Sequence, residues 1–150
     1  MAHGSTRSKA RKRALDILFE AELRDTDSVA TLEERAADAN PPVREYTAEL
    51  VRGVAAHMAE IDARISACLA SGWTLPRMPR VDRNTLRIAV YEIDYGQVPD
   101  AVAVAEAVQL LDTIPGVGET VAQILVLVLA IVVRLVRPPG LLTRQRVRTS

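Results

Sequence analysis

Five cations crowd the first thirteen residues of the chain: Arg7, Lys9, Arg11, Lys12 and Arg13, with no carboxylate among them. Side chains of this type do one kind of chemistry at such density: they attract phosphate, and the attraction falls as salt rises. Three of the five are arginines, which add bidentate and stacking contacts of the sort that unstacked RNA bases and phosphates invite. The helix that these residues open has its positive dipole end at the same place, so the crowding is locally unfavourable. A sequence that keeps such repulsion uses the charge on a partner, most simply a ribose-phosphate backbone.

A second cluster closes the chain, with Arg134, Arg137, Arg144, Arg146 and Arg148 and again no acid. The formal net charge of zero hides this arrangement. Between the two basic ends, 9 of the 19 basic residues stand against all 19 acids, a body of charge −10. That asymmetry is expected of a nucleic-acid binder.

Catalytic chemistry has little to work with. The histidines are His3, in the polar start, and His57, read as exposed or hydrogen-bonded. No nucleophile–histidine arrangement, paired metal ligands, phosphate loop or dinucleotide fingerprint is present, so neither an enzyme nor a cofactor is expected. The lone Cys68 excludes an internal disulfide and is read as a small buried residue. The first thirteen residues have charge without an apolar run, so no secretory signal is expected and the cytoplasm is the default location. Ile124 to Val133 is apolar throughout but falls short of the roughly 20 residues a membrane span needs. It suits a helix buried on all sides, or one that joins a second copy of the chain as a homodimer.

The elements that must position the cations are helices. Thr6 or Ser8 caps a first helix reaching about Arg24, with Ala10, Ala14, Ile17, Leu18 and Ala21 as its buried stripe. Asp27 or Ser28 caps a short helix through Ala39, which Asn40-Pro41-Pro42 stops. One long helix is expected from Val43 to Ala70, carrying Tyr46, Leu50, Val54, Met58, Ile61, Ile65 and Leu69 on one face. Gly53 inside it costs about 1 kcal/mol against alanine, tolerable where another helix crosses closely. Residues 71–76 form a linker in which Trp73 seals two helix ends. The central helix is Val81 to Ile93: Leu86, Ala89, Val90 and Ile93 share a face, Asp82 is the expected N-cap, and Gly96 the expected left-handed stop. Val98 to Asp112 gives a further helix with Val104, Ala107, Val108 and Leu111 as its stripe. The expected organisation is a disordered basic start at 1–8, one helical domain at 9–137 divided into 9–70 and 77–137, and a basic tail at 138–150.

These motifs together resemble the NusB family. Ala-Arg-Lys-Arg-Ala-Leu-Asp-Ile-Leu-Phe-Glu-Ala-Glu at 10–22 is similar to the family's first helix, and Tyr46 to Ile61 to its third. Trp73-Thr74-Leu75, Val81 to Ile93, Val98-Pro99 and Ala105 to Leu110 follow in the family's order, so the likeness spans about residues 7–112. The resemblance implies an all-α bundle of six to seven helices in two subdomains, without catalytic activity. It implies binding of boxA RNA from ribosomal RNA leaders, together with the ribosomal protein NusE, within the antitermination complex of RNA polymerase. Arg7, Lys9, Arg11, Lys12 and Arg13 occupy the family's RNA-binding motif. Phe19 and Asp82 occupy positions near the RNA and NusE surface, beside the plainer readings of core packing for Phe19 and capping for Asp82.

After Asp112 the chain departs from the family. In place of its usual Phe and Asn segment stand Thr113-Ile114-Pro115-Gly116-Val117-Gly118-Glu119. Leu111, Ile114, Gly116, Val117, Gly118 and Ala122 fit a helix-hairpin-helix pattern, whose hairpin amides would approach a DNA phosphate. Glu119 disfavours an anion there, and a tight turn into a buried helix is the preferred reading.

Overall fold

The computed structural model describes residues 5–69, 72 and 74–113. The expectations for Trp73, for Gly116, Val117 and Gly118, for the apolar run 124–133 and for both chain ends lie outside the described residues. Six α-helices and one 3-10 turn account for the described chain, with no strand among them: α1 (Thr6–Leu23), α2 (Ser28–Asp38), α3 (Glu45–Ala56), α4 (Met58–Cys68), the turn Leu75–Arg77, α5 (Arg80–Asp94) and α6 (Asp100–Asp112).

Local chemistry sets the ends of the early helices. Ser5 caps α1, its hydroxyl accepting from the Ser8 amide at 3.1 Å. Asp27 caps α2 in the same way, accepting from the Ala30 amide at 2.9 Å. The chain leaves α2 through Ala39, held left-handed at φ 52°.

The helix expected to run unbroken from 43 to 70 is divided. His57, at φ −115° and ψ 21°, separates α3 from α4, and its ring stacks on Tyr95 with centroids 3.8 Å apart. On either side of the break, α3 and α4 each lie against α5. Gly53 leaves room for a side chain from α5: a Cβ there would fall on the far end of the Tyr91 ring.

α5 is the centre of the fold. It touches α1, α3, α4 and α6, and Leu86, Ile88, Ala89, Val90 and Ile93 are all buried. Removing each of the larger ones from water contributes about 1.5–3 kcal/mol. Two expectations at its ends need correcting. Pro79 holds the N-cap position, because the helix starts at Arg80, two residues before Asp82; Asp82 is buried in the first turn. Gly96 is not left-handed. Its amide donates to the carbonyls of Tyr91 and Glu92, and a Cβ would sit 2.9 Å from the Glu92 carbonyl oxygen, so it answers a close backbone approach instead.

On α6 the buried face is Ala103, Ala107, Leu110 and Leu111, one step from the expected stripe, with Val104 and Val108 half-buried. Cys68 is buried and unpaired with any other cysteine, and burial raises its thiol pKa. Among the described residues no helix is long and apolar enough to cross a membrane.

Candidate nucleic-acid interface

The helical repeat sorts the five cations of α1 into three groups. Lys9, Lys12 and Arg13 fall at i, i+3 and i+4 and so share the face opposite the buried stripe. Lys9 is exposed and Lys12 partly so; Arg13 is also partly exposed, but its Nε is buried and has no hydrogen-bond partner among the described residues. Lys12 pairs with Asp16 one turn on, at 2.7 Å and near the surface, an interaction worth little in water. Among the described residues Lys9 and Arg13 make no ion pair. Arg7 lies nearer the core face, its guanidinium 4.3 Å from the centroid of the Tyr46 ring, a cation–π contact.

Arg11 is in neither place. It falls in register with Ala14, Leu15 and Leu18, and only 4% of it is exposed. Its guanidinium reaches Glu92 of α5 through Nε and a terminal nitrogen, both at 2.9 Å. The other terminal nitrogen donates to Glu106 of α6 at 2.9 Å. The Tyr46 hydroxyl donates to Glu92, and the Ser8 hydroxyl to Glu106 at 2.7 Å. Burial pushes the Glu92 carboxyl up from its ordinary value, while Tyr46 and Arg11 pull it back. Burial, then the bond to Glu92, pushes the Tyr46 hydroxyl well above its usual range. Arg11, expected among the residues that meet phosphate, is buried here, its guanidinium engaged by two carboxylates and facing the protein.

Phe19 is half-buried on the later turns of α1. Near the end of that helix, Glu22 gathers the arginines of α5: Arg80 at 3.2 Å, Arg83 in close contact and Arg87 at 3.2 Å. Burial acts to raise the Glu22 carboxyl, and Arg83, Asn84 and Arg87 outweigh it, holding the group below its ordinary value. Arg87 also grips Asp62 of α4 through two bonds of 2.8 and 2.9 Å. Asp82 has no ion pair among the described residues, and burial lifts its carboxyl to about 6. No group of three or more His, Cys, Asp or Glu that could hold a metal occurs among the described residues.

The NusB family model matches residues 8–120. The chain belongs to the NusB family. The transcription antitermination protein NusB of Acidothermus cellulolyticus is 60% identical over 105 residues, covering 69% of this chain and 72% of that protein. Its counterpart from Nocardioides sp. is 54% identical over 108 residues, covering 71% and 79%. Among solved structures, T. maritima NusB superposes with a TM-score of 0.74 at 26% identity, over 88% of this chain and 93% of that one. A NusB chain crystallised with NusE and double-stranded RNA gives 0.72 at 25%, over 84% and 94%. The NusB relatives are transcription antitermination proteins, a function that is not enzymatic.

The sequence reading missed Glu92 and Glu106, and read Tyr46 only as core. The signal was there: Arg11 and Glu92 each stand in register with apolar residues, Glu92 three past Ala89 and four past Ile88. Opposite charges on two core faces call for each other.

Proposed function

We propose that this NusB-family chain is an RNA-binding transcription antitermination factor that takes up boxA-type RNA of ribosomal RNA leaders jointly with NusE, within the RNA polymerase complex. The observation that carries the reading is the outward face of α1, where Lys9, Lys12 and Arg13 align and only Lys12 has a carboxylate partner among the described residues. The solved NusB relative that holds NusE and RNA supports the choice of partners. Lys9, Lys12 and Arg13 meet phosphates, and Arg7, already stacked on Tyr46, extends the strip toward the chain start. Phe19 offers NusE the exposed part of a half-buried ring. Asp82 is too deeply buried to touch a partner directly.

The test is a salt titration of RNA binding. Replacing Lys9, Lys12 and Arg13 together by alanine should weaken binding of a boxA-type single strand about tenfold or more at low salt. Three lost phosphate contacts should also make the log–log salt dependence shallower by about 2. An unchanged slope would remove α1 as the RNA face. Duplex DNA, run in parallel, separates phosphate attraction from RNA recognition.

A further inference from the structure

The start of α1 is a poor helix on its own. Arg7, Lys9, Arg11, Lys12 and Arg13 lie in its first turns, where they repel one another and the positive end of the dipole, and that first turn contains no acid. The compensating charge comes from far along the chain. Glu92 and Glu106 lie 81 and 95 residues after Arg11 in sequence and converge on its guanidinium from α5 and α6. Two further links reach the same turns: the Ser8 hydroxyl to Glu106, and the Tyr46 ring beneath Arg7 with its hydroxyl on Glu92. Three other helices thus hold the two turns of α1 that present the outward cations.

We propose that Glu92 and Glu106 are positioning residues for RNA binding, acting through Arg11 to fix the start of α1 in the pose that presents Lys9, Lys12 and Arg13. The inference rests on the outward cations being the RNA contacts. It adds that the interface is pre-organised by buried acids that never meet the ligand. An α1 start held in place binds without first being ordered, whereas a frayed one lowers the competent fraction and the apparent affinity with it. The number of phosphate contacts in the complex stays the same.

Those two properties define the experiment. Glu106→Gln keeps the shape of the side chain and leaves Arg11 its bonds to Glu92. Ser8→Ala keeps every ion pair, and it carries the test if Glu106→Gln lowers the folded fraction. Binding of a labelled boxA-type single strand is followed across salt, and amide exchange of residues 6–13 is followed in the free full chain well below its melting temperature. Glu106→Gln should bind about tenfold more weakly, and Ser8→Ala about threefold, each with the parent's salt slope and faster exchange confined to the start of α1. The double variant should be weaker than Glu106→Gln by less than the Ser8→Ala effect, because both act on one link.

Affinity within twofold of the parent for both variants overturns the proposal, whatever happens to melting temperature. So does tighter binding with a steeper salt slope, which would make Arg11 a phosphate contact that Glu106 restrains. If the Lys9, Lys12 and Arg13 triple variant binds RNA like the parent, the site reading falls and this proposal with it. If the triple variant weakens and Glu106→Gln does not, only the positioning role falls.

Discussion

Among the described residues two helix starts are rich in cations, and they are not alike. α5 opens with Arg80, Arg83 and Arg87, and α1 with Arg7, Lys9, Arg11, Lys12 and Arg13. On α5 all three arginines converge on Glu22, Arg87 adds Asp62, and the side chains of Arg83 and Arg87 are only 12% and 11% exposed. On α1 one arginine, Arg11, is treated in the same way, while Lys9, Lys12 and Arg13 lie on the opposite face, with Asp16 as their one carboxylate partner among the described residues. A count of positive charge does not separate the two helices. The position of the nearest acid does, because a guanidinium fixed by carboxylates no longer offers its donors to phosphate.

The sharpest way to break this contrast is to empty its most buried member. Arg11→Ala removes a guanidinium and leaves Glu92, about 1% exposed, without its cation. A buried pair broken from one side costs about 3–5 kcal/mol, and a denaturant melt should read a loss of that size. A loss below about 1 kcal/mol, the range of exposed pairs, would place Arg11 with the surface cations after all.

Next in size is the carboxylate at the start of α5 that no arginine reaches among the described residues. Asp82 is held at about 6 by burial, against an ordinary 3.8, so the folded chain binds its proton more tightly than the unfolded chain does. Its stabilising contribution is complete below about pH 4 and is lost as pH rises through 6; two units correspond to up to about 3 kcal/mol. The first-turn position favours an anion, and desolvation outweighs it. Asp82→Asn should therefore be more stable than the parent at pH 7.5 and equal to it near pH 4. Equal stabilities at both pH values would mean that Asp82 is not desolvated.

Much of this was legible in the residues. The stripe of α1 and the centrality of α5 follow from spacing, because burial repeats with the helix, and the Asp27 cap follows from residue type. What spacing does not carry is the partner of a charge. Arg11 sat among four like neighbours and was grouped with them, although its register with Ala14 and Leu18 put it inside; Glu92 and Glu106, more than 80 residues away, were needed to explain it. The break at His57 was hidden for a similar reason. The ring that stacks on His57 there, Tyr95, is 38 residues further along the chain, and the apolar spacing runs through the break. Asp82 reads as a cap in sequence because Pro79 is silent about whether it ends a loop or begins a helix.

The smallest expected effect is also the most direct test of the contrast. Arg80 is the most exposed of the three α5 arginines, half open to solvent, and its bond to Glu22 is shared with Arg83 and Arg87. Removing it leaves Glu22 with two guanidinium partners and strands no charge. Arg80→Ala should change stability by no more than about 0.5 kcal/mol. It should leave the salt slope of RNA binding where it was, whereas Lys12→Ala should flatten that slope by about 0.7. The two cations are partly exposed and each pairs with an acid; they differ in the acid, since Lys12 meets the 48% exposed side chain of Asp16 and Arg80 the 25% exposed Glu22 that Arg83 and Arg87 also grip. If Arg80→Ala flattens the slope as much as Lys12→Ala, the RNA path extends over α5 and pairing with Glu22 does not withdraw an arginine from phosphate.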